Sequence, residues 1–203
     1  VDNRYSKIEI KDGRFYFEFD NNDQNKQYEV GLPGYHNIAN ATAALSLCYH
    51  FLNIPLSNLR AALKSFKGVY RRFEFLVRND QFVVIDDYAH HPTELKQIIR
   101  SVKNLFPQKQ LTAIFQPHLF SRTRDFANEF ASELREIDIL KLLDIYPARE
   151  LPIDGIDSHW LNSLIQKKES MVVEKQELLQ WIKDTKPELL LILGAGDVDQ
   201  LRE

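Results

Sequence analysis

Four titratable side chains follow a run of apolar residues in the stretch VVIDDYAHHPTE. They are Asp86, Asp87, His90 and His91, and they fall within six residues of one another. Carboxylates and imidazoles serve as general acids and bases and as ligands of divalent metal ions, but they also cap helices. The stretch therefore predicts a catalytic site or a metal site of the kind used by phosphoesterases, and its spacing alone does not decide between them.

Two further polar clusters could do chemistry. The segment QPHLFSRTRD contains His118, Arg122 and Arg124, and the segment GAGD covers residues 194–197. An arginine offers a planar fork of donors to a carboxylate or a phosphate, although a surface arginine paired with a neighbouring acid is the common alternative. GAGD is the weakest of these signals, because a turn between a strand and a helix often needs glycine for backbone reasons alone.

The segments around these clusters alternate between apolar runs and amphipathic patterns. The apolar runs VVID, LTAIF, ILKLLDIY, MVVE and LLLIL alternate with helical patterns near residues 92–106, 123–135, 159–167 and 177–183. This rhythm predicts an α/β fold, a Rossmann-like, mostly parallel sheet with helices on both faces. All three polar clusters fall where a strand ends and a helix begins, which is where such sheets bind ligands.

The first third of the chain has a different pattern. SKIEI, RFYFEF and QYEVGL, separated by KDG and NNDQNK, predict an antiparallel meander over residues 6–32. Helices are predicted near 37–54 and 57–66, and a hairpin formed by FEFLV and QFVVID follows. We therefore expect a partial α/β domain at residues 1–74 and a second domain at residues 75–203, with the change of pattern between Val69 and Phe75.

The composition argues against a nucleic-acid-binding, a disulfide-bonded or a membrane-spanning protein. The chain has 203 residues and a formal net charge of -3, with 26 basic side chains balanced by 29 acidic ones, which argues against a nucleic-acid surface. The single Cys48 excludes an internal disulfide and is typical of an inert thiol in a reducing cytoplasm. The longest aliphatic run, LLLIL, is far too short to cross a bilayer. A start at Val1 without methionine fits an excised fragment of a cytoplasmic protein.

Six motifs together resemble a known family. PGYHNIANATAAL, GVYRRFE, DDYAHHPTE, FQPHLFSRTRD, LLDIYPARELPIDG and LGAGDVD occur in this order and span nearly the whole chain. They closely resemble the C-terminal half of the Mur ligases, and QPHxxSRTRD is most similar to the members that add L-alanine. The resemblance implies an ATP-dependent acid–amino-acid ligase of peptidoglycan biosynthesis. In such an enzyme ATP, with Mg2+, phosphorylates the carboxylate of UDP-N-acetylmuramate, and the amine of L-alanine then displaces the phosphate.

The resemblance also implies domain identities and site residues. Residues 1–74 would be the C-terminal portion of a central ATP-binding domain, and residues 75–203 an amino-acid-binding domain. The residues implied to bind ATP are Asn37, Asn40, Arg72 and Asp87. Those implied to act in catalysis are His90, His91 and Arg122. Those implied to bind the amino acid and the muramyl carboxylate are His118, Arg122 and Arg124.

The chain departs from the family pattern in two ways. Leu119 stands where many members have arginine, and no GxxxxGK[ST] phosphate loop occurs in the sequence. The phosphate loop, the Mg2+ ligands and a UDP-binding domain are therefore expected upstream of Val1, and we expect this polypeptide alone to be inactive. A metal-dependent phosphoesterase built on Asp86, Asp87, His90 and His91, and a noncatalytic binding module, remain as alternatives.

Overall fold

The structure is a computed structural model that describes residues 5–11, 14–19 and 27–202. The chain divides into two compact units, Val1–Val69 and Tyr70–Glu203, and each is described here by itself. The division lies between residues 69 and 70, so that the arginine pair at 71 and 72 belongs to the second unit.

The first unit contains the meander that the alternating pattern predicts. Its three antiparallel strands, in the spatial order β1-β2-β3, are β1 (Tyr5–Lys11), β2 (Arg14–Phe19) and β3 (Gln27–Val30). Alternate residues of a strand share a face, and Phe15, Phe17 and Phe19 are all fully buried on the same face of β2. The rings of Phe17 and Phe19 contact Tyr28 of β3. The prediction of a meander is confirmed, while most of the predicted KDG and NNDQNK turns lies outside the described residues.

Two helices complete this unit, α1 (Tyr35–His50) and α2 (Leu56–Ser65). Helix α1 buries Ile38, Ala41 and Leu45, as its spacing predicts. Its predicted extension toward residue 54 is wrong, because Asn53 takes a left-handed conformation and the amide of Ile54 donates to the carbonyl of Cys48. A left-handed residue, usually glycine or asparagine, is common just after the end of a helix, and the hydrogen bond from Ile54 closes the turn that follows.

The second unit is a six-stranded sheet with the spatial order β4-β5-β9-β6-β7-β8. Its strands are β4 (Glu74–Arg78), β5 (Val83–Asp87), β6 (Leu111–Phe115), β7 (Ile139–Leu142), β8 (Ser170–Val172) and β9 (Leu189–Leu193). β4 is antiparallel to β5, and every other neighbouring pair is parallel. The predicted Rossmann-like, mostly parallel sheet is therefore confirmed, although β7 is shorter than the apolar run ILKLLDIY.

Helices cover both faces of this sheet. They are α3 (Pro92–Leu105), α4 (Phe120–Asp125), α5 (Ala127–Leu134), α6 (Ser158–Ile165), α7 (Lys175–Thr185) and a 3-10 helix (Asp197–Arg202). Helices α3, α5 and α6 pack into one hydrophobic cluster, and α7 and the 3-10 helix pack into another on the opposite face. Because β6 and β9 are buried on both faces, they read as continuous apolar runs rather than as alternating patterns.

The prediction of one helix over residues 123–135 is wrong. The chain forms two helices that meet at Phe126, and the first of them begins at Phe120, three residues earlier than predicted. The first turn of α4 is held by Glu150, whose carboxylate accepts a hydrogen bond from the amide of Ser121 at 3.0 Å. A contact between residues this far apart in the chain is invisible to local periodicity.

Candidate functional site

The carboxyl ends of four parallel strands lie side by side in the second unit. Asp87 at the end of β5 and Phe115 at the end of β6 both pair with Leu193 of β9, and Phe115 also pairs with Leu142 of β7. The loops that follow these strands therefore start at the same edge of the sheet. The loop after β5 here includes Asp86 and Asp87 at the end of the strand, and the loop after β6 extends to Arg122 in the first turn of α4. Three of them carry the polar clusters singled out in the sequence.

Asp86 is buried against an arginine. Its Oδ2 lies 3.4 Å from Nε of Arg71, and both side chains are almost completely buried. The same guanidinium lies 3.4 Å from the carboxylate of Asp199 and donates to the carbonyls of Gly194, at 2.5 Å, and Gly196, at 3.3 Å. Arg71 thus ties the start of this unit to the loop after β9, and Asp86 is the counter-charge that makes its burial possible.

Asp87 is buried as well, and both of its oxygens are engaged. Oδ2 accepts from the amide of Phe73 and Oδ1 accepts from the amide of Ala89, each at 2.8 Å. Burial raises the pKa of Asp87 to about 6, although these two amides favour the ionised form and act in the opposite direction. The carboxylate therefore holds the backbone on both sides of the strand pair β4 and β5.

His90 points toward the loop after β6. Its Nδ1 lies 2.9 Å from the carbonyl of Tyr88, which can only accept, so Nδ1 carries the proton in the neutral ring and Nε2 carries the lone pair. The ring makes an edge contact with the ring of His118, with centroids 5.6 Å apart. His90 and His118, which are predicted as a catalytic and a substrate-binding residue, are thus brought together.

His91 has a different environment from its neighbour. It is the N-cap of α3, where its Nδ1 accepts from the amide of Thr93 at 3.4 Å while the carboxylate of Glu94 accepts from the amide of His91. Its ring packs on Phe126, with centroids 4.7 Å apart. The structure therefore uses His91 as a helix cap, which is the ordinary role weighed for it in the sequence.

The metal-site alternative is not supported by this geometry. Asp86 faces a buried guanidinium, Asp87 binds two amides and His91 caps a helix, so the four side chains do not converge on one point. Within residues 5–11, 14–19 and 27–202 there is no group of three or more histidine, cysteine, aspartate or glutamate side chains placed to hold a metal ion. The described residues therefore do not provide the metal site that the phosphoesterase hypothesis requires.

The loop after β6 contains two polar atoms whose hydrogen-bonding capacity is unused. Nδ1 of His118 and Nη1 of Arg122 are buried and have no hydrogen-bond partner in the part of the chain that the structure describes. Burial, followed by the charges of His90 and Arg122, lowers the pKa of His118, and Glu150 opposes this shift. Because buried polar groups in native proteins are nearly always paired, this pair of atoms indicates a ligand-binding position.

The backbone around His118 is held by the loop after β7. The amide of Leu119 donates to the carbonyl of Tyr146 at 3.0 Å, and the amide of Tyr146 donates to the carbonyl of Pro117 at 2.8 Å. The rings of His118 and Tyr146 stack, with centroids 5.7 Å apart. Leu119 itself has a φ of +72°, a conformation that needs support from neighbouring contacts.

The remaining arginines differ in availability. Arg72 is about half exposed (49%), lies 3.8 Å from Glu94 and has its guanidinium 5.5 Å from the centre of the Tyr88 ring. Arg124 is half exposed and pairs with its neighbour Asp125 at 2.7 Å, which is an ordinary surface ion pair. Arg72 is thus open to a ligand, whereas Arg71 beside it is buried and pairs with two carboxylates and two backbone carbonyls.

The GAGD loop is packed for structural reasons. Gly194 has a φ of +139°, and a side chain there would start 2.8 Å from the carbonyl of Gln116. The Gln116 amide donates to Asp197 at 2.8 Å and accepts from the backbone amide of Val198 at 3.0 Å. Burial raises the pKa of Asp197, but hydrogen bonds from Gln116 and Lys175 outweigh it and leave this pKa below its ordinary value.

The two predicted adenine-binding residues lie in the first unit. Asn37 is in the first turn of α1 and is half-buried, and its amide donates to the carbonyl of Pro33 at 2.7 Å. Asn40 is exposed on the same helix, three residues further along. The side chain of Asn37 thus helps to hold the turn that precedes its own helix, while that of Asn40 faces solvent.

Four residues that position the site were not predicted. They are Arg71, Gln116, Tyr146 and Glu150. Arg71 stands beside Arg72 in GVYRRFE, Gln116 opens QPHLFSRTRD, and Tyr146 and Glu150 lie in LLDIYPARELPIDG. Their place in these motifs could have marked them as candidates. No local pattern, however, shows which distant group each side chain contacts.

Across residues 5–11, 14–19 and 27–202, no helix combines the length and the apolar character that spanning a membrane requires.

The chain is similar to known proteins over almost its whole length. The family described as Mur ligase, glutamate ligase domain, matches residues 71–196, which include the loops after β5, β6 and β7 and most of the GAGD loop after β9. A UDP-N-acetylmuramate–L-alanine ligase of Flavobacterium psychrophilum is 46% identical over 195 residues, which is 96% of this chain and 43% of that protein. One of Porphyromonas gingivalis is 44% identical over 198 residues, covering 97% of this chain and 43% of that protein.

A solved structure agrees with these sequence matches. The crystal structure of UDP-N-acetylmuramate-alanine ligase from Thermotoga maritima superimposes with a TM-score of 0.81 at 26% identity, covering 98% of this chain and 44% of that one. The chain therefore spans less than half the length of the curated relatives it matches.

Proposed function

Because this chain belongs to the Mur ligase family, we propose that it is the C-terminal part of a UDP-N-acetylmuramate:L-alanine ligase, an ATP-dependent enzyme of cytoplasmic peptidoglycan synthesis. The observation that carries the proposal is the pair of buried, unpartnered atoms in the loop after β6, Nδ1 of His118 and Nη1 of Arg122, within the part of the chain that the structure describes. A guanidinium is suited to a carboxylate, and a neutral imidazole to an amine, so the pair fits an amino acid.

The proposed reaction has two steps. The γ-phosphoryl group of ATP is transferred to the carboxylate oxygen of UDP-N-acetylmuramate, which releases ADP and leaves an acyl phosphate. The free amine of L-alanine then attacks the acyl carbon, a C–N bond forms, and the C–O bond to phosphate breaks. The amino-acid nitrogen must lose protons in this sequence, and the tetrahedral oxyanion must be stabilised.

The residues of the loop after β6 suit the second step. Arg122 would bind the carboxylate of L-alanine, and His118, whose lowered pKa keeps it neutral near pH 7, would accept a proton from the amine. Nε2 of His90 carries a lone pair next to the same ring and would help to orient the nucleophile. Arg124, which pairs with Asp125, would add positive potential at the mouth of this site rather than a direct contact.

Nucleotide binding is proposed for residues of both units. Asn37 and Asn40 would offer donors and acceptors to the adenine edge, and Arg72 would contact the phosphates. Asp87 would reach a ribose hydroxyl through the lone pairs that its two backbone contacts leave unused. His91 would contribute to catalysis through the placement of α3, the helix that it caps. On this proposal the first unit is part of an ATP-binding domain and the second is the amino-acid-binding domain.

The Mg2+ ion that the family implies would offset phosphate charge when bound. The acids in the loop after β5 do not fit it, because Asp86 and Asp87 are already engaged by Arg71 and by backbone amides. We assign no step of the reaction to an ion held by these residues.

The test is a ligase assay on a joined enzyme, in which the N-terminal remainder of the Flavobacterium psychrophilum relative precedes this chain. We expect phosphate release that requires ATP, UDP-N-acetylmuramate and L-alanine together. Arg122→Gln should raise the KM for L-alanine about 30-fold, as for loss of one charge-assisted contact, and leave the KM for ATP within about twofold.

The matched control is Glu188→Gln, which removes an exposed carboxylate that lies 3.3 Å from Lys109 near the start of β9, at the opposite edge of the sheet. Its kinetic constants should equal those of the unmodified joined enzyme. Phosphate release that does not depend on L-alanine, in a folded joined enzyme, would contradict the proposed function.

A further inference from the structure

The loop after β7 holds the loop after β6 at two separate points. The first is the pair of backbone hydrogen bonds and the ring stack between Tyr146 and the segment from Pro117 to Leu119. The second is a side chain, Glu150, whose Oε2 accepts from the amide of Ser121 at 3.0 Å and whose Oε1 accepts from the hydroxyl of Ser121 at 2.5 Å. Both carboxylate oxygens are therefore bound to Ser121, in the first turn of α4.

The position of Ser121 gives this contact its importance. Ser121 immediately precedes Arg122 and follows His118 by three residues, so it lies between the two side chains with unused, buried nitrogen atoms. An amide and a hydroxyl donated to one carboxylate fix the orientation of this turn more strictly than a single bond would. The hydrogen bonds from Ser121 also hold the pKa of Glu150 below its ordinary value, so it is ionised at neutral pH.

The backbone on both sides of the contact between Ser121 and Glu150 is also held in unusual conformations. Leu119 has a φ of +72° and Ala148 has a φ of +50°, and neither is a glycine. Such conformations persist where surrounding contacts over-determine them, and they cluster at functional sites. A hydrogen bond from the amide of Glu150 to the carbonyl of Pro147, at 2.9 Å, closes the turn at Ala148. This turn directs the side chain of Glu150 toward Ser121.

We propose that Glu150, acting through Ser121, is a positioning residue that sets the spacing and orientation of His118 and Arg122 for the amino-acid substrate. The inference rests on the proposed function for the identity of that substrate, but the positioning itself is a property of this chain. Glu150 also places a negative charge near His118. It is not a catalytic residue, because its oxygens are bound to Ser121.

The first experiment uses the 203-residue chain and does not depend on ligase activity. NMR titration of the histidine rings reports the pKa of His118 directly. The groups that face His118 are His90 from the loop after β5, Arg122 from α4, and Tyr146 and Glu150 from the loop after β7. Glu150→Gln removes the negative charge among them, so the pKa of His118 should fall further.

The second experiment measures kinetics in the joined enzyme. Glu150→Gln keeps the size of the side chain but turns one of its acceptors into a donor that faces Ser121, and it should raise the KM for L-alanine about tenfold while the KM for ATP stays within about twofold. Ser121→Ala removes the hydroxyl contact alone and should give a smaller rise in the same constant. If Glu150→Gln does not fold, Ser121→Ala still tests the inference.

The outcomes separate the two proposals. Glu188→Gln, the exposed carboxylate at the far edge of the sheet, should change neither the His118 titration nor the KM for L-alanine. If the joined enzyme shows no L-alanine-dependent activity but Ser121→Ala, which keeps the Glu150 charge and removes its hydroxyl contact, changes the His118 titration, the proposed function fails and the positioning role stands. An unchanged His118 titration, or equal effects on the KM values for ATP and L-alanine, would overturn the positioning role.

Discussion

The loops after β5 and β6 lie at the same edge of one sheet, and both are rich in charged and imidazole side chains. In the loop after β5 most of these groups are engaged within the protein: Asp86 by Arg71, Asp87 by two amides, and His91 by the amide of Thr93. In the loop after β6, His118 and Arg122 each keep a buried nitrogen atom with no partner among the described residues.

The comparison teaches that a dense cluster of titratable residues is not by itself a reactive site. A buried charge is stable only when it is paired, so the close packing of Asp86 and Asp87 required partners from elsewhere in the unit. Binding capacity lies instead with groups that folding leaves unpaired. The loop after β5 thus supports the edge of the site, and the loop after β6 supplies its contacts.

The largest effect should follow from removing Arg71. Arg71→Met leaves Asp86 buried without its counter-charge, and we expect the second unit to lose about 3 to 5 kcal/mol of unfolding free energy. Trp160 and Trp181 both lie in this unit, so urea unfolding monitored by tryptophan fluorescence measures its free energy of unfolding. Arg72→Met, at the half-exposed neighbour, is the matched control and should change stability by less than about 0.5 kcal/mol.

Asp87 should make stability depend on pH. Its pKa is about 6 in the folded chain and near 3.8 in the unfolded chain, so the folded state binds the proton more tightly. Stability from this group is therefore present at low pH and is lost as pH rises from about 4 to 6, by up to about 3 kcal/mol. Urea unfolding at several pH values should show that Asp87→Asn removes this slope, and an unchanged slope would assign it to another group.

Arg122 should respond in the opposite way to Arg71. Arg122→Met removes a buried nitrogen that has no partner in the described part of the chain, so the unfolding free energy should stay the same or rise by about 1 kcal/mol. The same fluorescence measurement applies. A loss of unfolding free energy as large as that expected for Arg71→Met would mean that internal contacts hold Arg122 just as they hold Arg71. The proposed difference between the two loops would then be wrong.

A further effect, of about the same size as that of Arg122, concerns His91. His91→Ala should cost about 1 kcal/mol through loss of the helix cap, whereas His91→Asn supplies another N-cap acceptor and should restore most of it. Thermal unfolding of the two variants measures the difference. If the joined enzyme keeps its ligase activity with His91→Asn, the role of His91 is to cap the helix. If both variants lose activity, His91 takes part in catalysis.

Much of the architecture was predictable, for local reasons. The apolar runs VVID, LTAIF and LLLIL are β5, β6 and β9, because a strand buried on both faces needs apolar residues at every position. The helix over 92–106 was predicted within one residue, since its apolar side chains repeat at helical spacing and Pro92 suits a helix start. The break at Phe126 was missed because the pattern of apolar residues continues across it.

The sequence by itself determined which loops carry chemistry, since strand ends and polar clusters are both local properties, and it determined the family through motifs in order. Tertiary structure decided which groups in those loops are engaged. The contact of Arg71 with Gly196 joins residues 125 apart, and that of Ser121 with Glu150 joins residues 29 apart. Whether a buried charge is paired depends on such distant partners, which no local pattern records.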